Sequence, residues 1–251
     1  MDGIERVKTG INGLDGLIGG GIPQGFNVLI TGGPGAGKTI FGLQYLYNGA
    51  RGGENGLYVT LDNTRKELLK QARLFGWDIA ALEKDGKLAV LEVPLNTTDM
   101  DLFELVKTNV KKVGAKRLVF DSLINFSINI DQFKTPLDYT VTNPKVAEVL
   151  GNEKMYYSGK SKERVTYLLL DELSKLGTTN IVITASSEDG MMTKDGVSEF
   201  ASDGVVVLSA VETGGEAVRS LKVAKLRDTD ADINSKRMAI GKEGISISGR
   251  N

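Results

Sequence analysis

The sequence contains no cysteine and no histidine in 251 residues. Without cysteine there can be no disulfide, thiolate nucleophile, iron–sulfur cluster or zinc–thiolate site. Without histidine, catalytic triads, metal sites and pH switches that depend on imidazole are excluded as well. Any catalysis therefore depends on carboxylates, lysine, arginine, hydroxyl groups, backbone amides or a bound cation. The lack of cysteine also fits a reducing compartment, and we expect a cytoplasmic protein.

The chain also lacks an excess of charge of either sign and any long apolar run. Lysine and arginine number 31 and acidic residues 32, which gives a net charge of −1. This balance argues against a wholly basic surface that would coat nucleic acid or an anionic membrane, and allows only a local basic patch. No apolar run approaches the roughly 18 residues of a membrane span, and the start MDGIERVKTG is too polar for a signal peptide. We expect no membrane partner.

Short runs rich in Val, Ile and Leu alternate with amphipathic stretches. The predicted strands are Asn27–Thr31, Leu57–Leu61, Leu88–Val93, Arg117–Asp121, Asn180–Ala185, Gly204–Ala210 and Val218–Leu226. The predicted helices are Lys38–Ala50, Arg65–Phe75, Asp99–Val113 and Glu163–Leu176. The alternation predicts an α/β fold with a mostly parallel sheet flanked by helices, and the uninterrupted strands after residue 204 predict antiparallel strands at its C-terminal edge. We predict one domain over residues 1–251, with 131–162 as an insertion or long loop because it has no clear period.

The most informative motif is a glycine-rich loop between the first predicted strand and the first predicted helix. It matches GxxxxGK[ST] and comprises Gly32, Gly33, Pro34, Gly35, Ala36, Gly37, Lys38 and Thr39. Glycines let successive backbone N–H groups face a phosphate, and the helix N-terminus adds partial positive charge. Lys38 can reach the β- and γ-phosphates, and the Thr39 hydroxyl can ligate Mg²⁺. In this context the motif predicts a site for ATP and Mg²⁺, which Ile40 also lines, rather than a chance glycine-rich turn.

A second carboxylate is needed near such a metal. The apolar strand Arg117–Asp121 ends in Asp121, which has the Walker B pattern. Many buried strands end in aspartate at a turn, but the pairing with the phosphate loop favours a role for Asp121 at the metal, which it would hold through water.

The segment leading into the loop is more specific than the loop itself. It contains Thr9-Gly10-Ile11, Leu14-Asp15 and the run from Gly19 to Gly25. Together with Phe75-Gly76-Trp77-Asp78 and the stretch from Ser198 to Asp203, it resembles the KaiC-like ATPases of the RecA superfamily. Archaeal RadA paralogues, in the same broad group, look equally close. The resemblance implies a RecA-like core and ATP bound between adjacent subunits of a homo-oligomer, often a hexamer.

The resemblance also assigns a role to Lys225, Leu226, Arg227 and Thr229. In the family, residues that match Lys225 and Arg227 reach the γ-phosphate of the ATP bound to the neighbouring subunit. A cation there can stabilise transition-state charge, as an arginine finger does. Alternation along a strand would place both cations on one face. Without the resemblance, the pair would indicate only a solvated strand face.

Two departures from the family bear on activity. After the strand Leu57–Leu61 the family typically carries two adjacent glutamates, one of which activates water, but here Asp62 and Asn63 follow. Asn63 cannot act as a base, and the Asp62 carboxylate is one methylene shorter than that of glutamate. Because a displacement of about 1 Å can cost ~100-fold in rate, we expect tight ATP and Mg²⁺ binding with slow hydrolysis. Glu199 and Phe200 stand where autokinase KaiC domains carry a Ser-Thr pair, so we expect no autophosphorylation.

Two alternatives to a regulatory ATPase stay open: a RadA-paralogue-type modulator of DNA recombination or repair, and a nucleotide-binding scaffold without turnover. RecA relatives bind DNA through two loops, which here would fall in 131–164 and 187–199. The second loop carries four acidic residues and one lysine, the reverse of what phosphate contacts require. The first places Lys160, Lys162 and Arg164 beside Tyr156 and Tyr157, a combination typical of single-strand binding. The charge balance gives DNA binding little support.

Overall fold

The computed structural model describes residues 3–95, 100–134, 162–187, 192–213 and 216–248. The strands are β1 Arg6–Val7, β2 Ile22–Pro23, β3 Asn27–Gly32, β4 Gly56–Thr60, β5 Leu88–Glu92, β6 Arg117–Asp121, β7 Thr179–Ile183, β8 Gly204–Thr213, β9 Glu216–Leu226, β10 Lys236–Gly241 and β11 Gly244–Ile247. The helices are α1 Leu14–Leu17, α2 Lys38–Arg51, α3 Arg65–Arg73, α4 Ile79–Lys84, α5 Leu102–Val113, α6 Leu123–Ile128, α7 Lys162–Ser174 and α8 Ser198–Ala201. None of the helices in these ranges is long and apolar enough to cross a membrane.

A nine-stranded sheet in the order β11-β10-β9-β8-β3-β7-β6-β4-β5 organises the molecule, and β1 and β2 form a separate two-stranded sheet. The six strands from β8 to β5 are parallel, whereas β9, β10 and β11 are each antiparallel to their neighbour. Helices α2, α3 and α4 pack on one face of the sheet, and α5, α6 and α7 pack on the other. The predicted fold class, including the antiparallel strands at the C-terminal edge, is confirmed.

The central strands are mostly apolar because both of their faces are covered. Every residue of β3, β4, β6 and β7 is buried, and on β3 the side chains of Val28 and Ile30 join one core while Leu29 joins the other. The edge strand β5 is only partly buried. The prediction of parallel strands covered on both faces is therefore confirmed at the centre of the sheet.

Some predicted bounds were wrong, and local capping explains why. The helix predicted to reach Phe75 ends at Arg73, and a second helix, α4, starts after Asp78, whose carboxylate accepts a hydrogen bond from Ala81 N at 3.0 Å. Likewise α5 begins only at Leu102, since Asp101 caps it by accepting from Glu104 N. Side chains that cap a helix satisfy its free N–H groups, so they mark its start better than the apolar period does.

The hairpin of β10 and β11, which sequence patterns did not predict as separate strands, is fastened to helix α2. The Gln44 side chain donates to Ile245 O at 3.0 Å and accepts from Ile245 N at 2.7 Å, so it completes both backbone groups of that residue. Gly244, at φ +97, leaves room for Trp77, because a Cβ there would lie 2.5 Å from the indole ring. The hairpin thus packs against α2, the helix that begins at the phosphate loop.

Of the stretch 131–162, only residues 131–134 at its start and Lys162 at its end, where α7 begins, lie within the described residues. A short 3₁₀ helix covers Ile130–Gln132, and the buried Phe133 ring stacks on Phe126 with centroids 5.6 Å apart. Residues 131–134 thus belong to the packed body of the domain. The remainder of the predicted insertion, 135–161, lies outside the described residues.

Candidate functional site

The glycine-rich loop lies at the carboxyl edge of the parallel strands, between β3 and α2. Its turn depends on Gly35 (φ +73) and Gly37 (φ +102), both in the left-handed region that favours glycine. A Cβ on Gly33 or Gly35 would meet no atom within 4 Å, so this side of the loop is open. Gly37 precedes α2 without a side-chain cap, which leaves the first N–H groups of the helix free to bind an anion.

Lys38 is folded into this loop. Its Nζ donates to Gly32 O at 2.7 Å and to Gly33 O at 2.9 Å. Burial lowers the pKa of the Lys38 ammonium, while the nearby charges of Asp121 and Asp62 act in the opposite direction. The ammonium group therefore sits where a phosphate bound to the loop would offer it a full negative charge in place of two carbonyl oxygens.

Asp121 ends β6 beside the loop and is 2% exposed. Its Oδ2 accepts hydrogen bonds from Tyr58 Oη at 2.7 Å and from Thr39 Oγ1 at 3.3 Å. Burial raises the pKa of the Asp121 carboxyl, and the hydrogen bonds from Tyr58 and Thr39 and the charge of Lys38 oppose that shift. Tyr58 from β4 and Thr39 from α2 thus both donate to the Asp121 carboxylate at the end of β6.

Asp62 and Asn63 occupy a turn directly after β4, at the same edge. The Thr60 hydroxyl accepts from Asn63 N at 3.0 Å and donates to Asn63 O at 2.8 Å, which closes the turn. Asp62 is exposed, and its charge acts on Lys38, Tyr58 and Asp121. The structure thus brings the predicted base to the same edge as the predicted phosphate and metal residues, with its carboxylate open to solvent.

The donor groups at this edge fit a nucleotide with magnesium. Magnesium prefers oxygen ligands and keeps several waters, so it needs few protein ligands beside phosphate oxygens. The Thr39 hydroxyl and the Asp121 carboxylate, 3.3 Å apart, are such oxygens. Within the described residues no group of three or more acidic side chains could hold a metal without phosphate.

Lys225 and Arg227 lie level with the amino ends of the parallel strands, whereas the phosphate loop of the same chain lies at their carboxyl ends. Leu226 pairs with Gly204, which pairs with Val28 near the start of β3, whereas the loop follows Gly32 at its end. Four residues of strand separate the two levels by about 13 Å. The two cations therefore cannot complete the phosphate site of their own chain.

Both cations are held by helix α8 and share one acceptor. Lys225 Nζ donates to Glu199 O at 2.9 Å, Phe200 O at 3.2 Å and Ser202 O at 2.6 Å. Arg227 donates to Phe200 O at 3.3 Å and pairs with Asp203 at 3.4 Å. The two side chains accordingly lie on one face, as their spacing predicts.

The segment after Arg227 is clamped by Arg6. The guanidinium donates to Thr229 Oγ1 at 3.0 Å, to Asp228 O at 2.9 Å and to Gly21 O at 3.0 Å. Asp228 has φ +53, a left-handed conformation that a non-glycine residue seldom adopts. The N-terminal segment therefore holds in place the turn that contains Arg227 and Thr229, two of the residues to which the family resemblance assigns a role at the nucleotide.

The described part of the second candidate DNA loop uses its carboxylates internally. Asp195 accepts from Ser198 N at 3.1 Å, Thr193 Oγ1 at 2.9 Å and Thr166 Oγ1 at 3.0 Å, and the Thr193 hydroxyl also contacts the Glu199 carboxylate. Burial would raise the pKa of Asp195, but these hydrogen bonds outweigh it and lower that pKa. The acidic residues here order the loop, and none of these contacts supplies positive charge for a phosphate backbone.

Sequence reasoning missed Tyr58 and Arg6 as parts of the site. A tyrosine within the apolar strand GLYVT is indistinguishable from a core residue, and its partner Asp121 lies 63 residues later. Arg6 stands near the start of the chain, more than 200 residues from its partners Asp228 and Thr229. The only available signal for Tyr58 was a hydroxyl in an otherwise apolar strand, since a buried hydroxyl needs a partner.

The sheet order and the phosphate loop together define the class of this protein: it is a P-loop NTPase with a RecA-type core. Comparison with protein families narrows the class. The family model described as ATPase KaiC matches residues 7–136 and 153–251, and the chain belongs to this family. Membership implies nucleotide binding, usually with Mg²⁺.

Individual relatives agree with this assignment. UPF0273 proteins of Thermotoga maritima and Methanopyrus kandleri are 33% and 34% identical to the chain, each over 97% of it and over 96% and 92% of their own lengths. The circadian clock oscillator protein KaiC of Synechococcus elongatus is 30% identical, but the chain spans only 44% of that protein. The crystal structure of a KaiC-like protein from Pyrococcus horikoshii superposes with a TM-score of 0.78 at 31% identity, covering 98% of this chain and all of the other. The predicted resemblance is confirmed.

Proposed function

We propose that this protein is a slow, Mg²⁺-dependent ATPase whose nucleotide state regulates its own assembly and the binding of a partner protein. The observation that carries the proposal is the meeting of Lys38, Thr39 and Asp121 beside an open phosphate loop. Thr39 Oγ1 lies 3.3 Å from Asp121 Oδ2, and this short distance supports a shared role of the predicted metal ligand and the predicted Walker B carboxylate. Such a pair with a P-loop lysine is the arrangement on which phosphoryl transfer depends.

Each residue has a defined task in this reaction. The backbone from Gly32 to Gly37 and the Lys38 ammonium hold the phosphates, and Asp62 orients a water molecule and accepts its proton. The water oxygen then bonds to the γ-phosphorus as the bond to the bridging oxygen breaks, which yields ADP and phosphate. Magnesium, when bound with the nucleotide, supplies charge neutralisation on the phosphate oxygens. Because Asp62 is short, the water is held less well and turnover is slow.

The proposed assembly depends on two cations at the end of β9, Lys225 within the strand and Arg227 directly after it. Lys225 and Arg227 lie about 13 Å along the sheet from the level of their own loop, so they can serve only the nucleotide of another copy. ATP between two copies would then be contacted by both, and a ligand that binds only the assembled state favours assembly. This supports a homo-oligomer, with a hexamer as the expected ring.

Light scattering with and without Mg·ATP, combined with a phosphate-release assay on the same samples, tests the proposal. We expect larger particles with Mg·ATP and turnover well below that of a motor ATPase. The Lys38→Ala variant is the control and should release no phosphate. A chain that stays monomeric with ATP bound would contradict the role of Arg227 at the nucleotide of a neighbouring copy. Assembly without any phosphate release would instead indicate a nucleotide-binding scaffold.

A further inference from the structure

A tyrosine and an aspartate are buried together beneath the phosphate loop. Tyr58 is 0% exposed and Asp121 is 2% exposed, and the Tyr58 hydroxyl donates to Asp121 Oδ2 at 2.7 Å. The two residues stand on neighbouring parallel strands, where Tyr58 pairs with Val119 and Asp121 follows two residues later on the same face. Tyr58 therefore reaches diagonally across the strand pair toward the end of β6, where the metal would sit.

The hydrogen bonds to this carboxylate are asymmetric. Among the described residues, the two donors to Asp121, Tyr58 and Thr39, both use Oδ2. The bond from Tyr58 is short, whereas the 3.3 Å contact from Thr39 is long for a hydroxyl donor. Thr39 is also the hydroxyl that would turn to the metal, and Tyr58 is then the donor that stays on Oδ2.

The last side-chain torsion of an aspartate, χ2, is only weakly restrained, so a hydrogen-bond partner is needed to fix the plane of the carboxylate. Groups that hydrogen-bond to metal-binding side chains orient them, and losing one typically costs 10–100-fold in metal affinity or activity. We propose that Tyr58 is a positioning residue for magnesium: by holding Oδ2 it directs Oδ1 of Asp121 to the water shell of the metal. This inference rests on the proposed function, since it assumes that Mg²⁺ binds with the nucleotide.

The chain offers a matched control in Tyr45. It too is 0% exposed, and its hydroxyl donates to a single partner, Thr179 O at 3.1 Å, away from the phosphate loop. Tyr45→Phe and Tyr58→Phe therefore remove the same atom from equally buried sites. Only the second removes a bond to the Walker B carboxylate, so any general effect on packing is common to both variants.

The experiment measures binding of a fluorescent ATP analogue in EDTA and over a Mg²⁺ titration. For Tyr58→Phe we expect affinity in EDTA within about twofold of the unmodified protein, and a half-maximal Mg²⁺ concentration raised about tenfold. Tyr45→Phe should change neither value. Equal behaviour of the two variants would overturn the role of Tyr58, whereas an unmodified protein that binds no nucleotide would overturn the proposed function itself.

A second measurement does not depend on the stability of Tyr58→Phe. 3-Fluorotyrosine placed at position 58 or at position 45 keeps the hydroxyl and gives a ¹⁹F signal in the folded protein. Adding Mg²⁺ to the ATP-bound protein should shift the signal at position 58 and leave that at position 45 in place. An unchanged signal at position 58 in a sample that binds Mg·ATP would contradict the proposal.

Discussion

We expect the length of the Asp62 side chain to limit the rate of ATP hydrolysis. Asp62→Glu extends the carboxylate by one methylene from the turn closed by Thr60, so it should reach the attacking water. We expect ATP turnover to rise about tenfold or more. Steady-state phosphate release under saturating Mg·ATP is the measurement.

The isosteric variant Asp62→Asn is the control, because it keeps the shape and removes the base. Its rate should fall below that of the unmodified protein while its affinity for ATP is kept. A rate for Asp62→Glu that is unchanged or lower would contradict the positional argument. A rate for Asp62→Asn equal to that of the unmodified protein would show that Asp62 is not the base.

Asp232 gives a prediction about pH. Its carboxylate pairs with the buried Lys236 at 2.6 Å and accepts from Asn234 N at 3.0 Å, and these contacts lower its pKa below the ordinary 3.8. A pKa lower in the folded chain means stability that is present above about pH 4 and is lost as the pH falls toward the folded value. Asp232→Asn should therefore lower the melting temperature at pH 7, and the gap from the unmodified protein should close as the pH falls below 3.8. A gap independent of pH would contradict this.

The individual site residues differ in how far a sequence can predict them. Lys38 and Thr39 follow from a contiguous motif, since the chemistry of the phosphate loop requires adjacent residues. Asp121 follows because three apolar residues, Leu118 to Phe120, lead directly to it. Tyr58 does not follow, because its hydrogen bond depends on which strand β4 pairs with, and no local pattern encodes that pairing.

At the scale of elements, Gln44 joins the helix of the phosphate loop to the last hairpin. Gln44→Leu preserves size but leaves Ile245 N and O, both buried, without their partner. Each unsatisfied group costs roughly 1–3 kcal/mol, so we expect the free energy of unfolding to fall by about 3 kcal/mol. Chemical denaturation measures it, with Gln71→Leu on the half-buried side of α3 as the control. A loss no larger than that of the control would contradict the role of this contact.

The strands differ in the kind of sequence pattern that specifies them. Buried parallel strands such as β3 and β6 are continuous apolar runs and are predicted nearly to the residue. The hairpin of β10 and β11 mixes exposed with buried residues in short strands and depends on Gln44 and Trp77 for its position. The two-residue strands β1 and β2 are shorter than any period can show. Long-range docking therefore accounts for most of what the sequence patterns missed.

At the scale of the whole molecule, the separation of the phosphate loop from Lys225 and Arg227 predicts complementation between copies. Lys38→Ala removes one half of each site and Arg227→Ala removes the other, so each variant alone should be nearly inactive. In a random equal mixture, about a quarter of the contacts join an intact loop to an intact arginine, and about a quarter of the activity should return. Phosphate release after co-assembly measures this.

The control for this mixture is the double variant Lys38→Ala, Arg227→Ala combined with the unmodified protein. Here the mixture again leaves about a quarter of the contacts complete, so activity per chain should fall to the same level as in the first mixture. Recovery of no activity in the mixture of single variants would indicate that both groups serve one copy.

The placement of these groups at opposite ends of the strands gives the proposed ring a polarity. Each contact in that ring joins the phosphate loop of one copy to Lys225 and Arg227 of the next, so the contact is heterologous. An open row always ends in one unfinished catalytic centre, so its turnover per chain grows with length without reaching its limit. When the row closes into a ring, no incomplete centre is left. The rate of ATP hydrolysis per chain would then rise in a step as the ring forms.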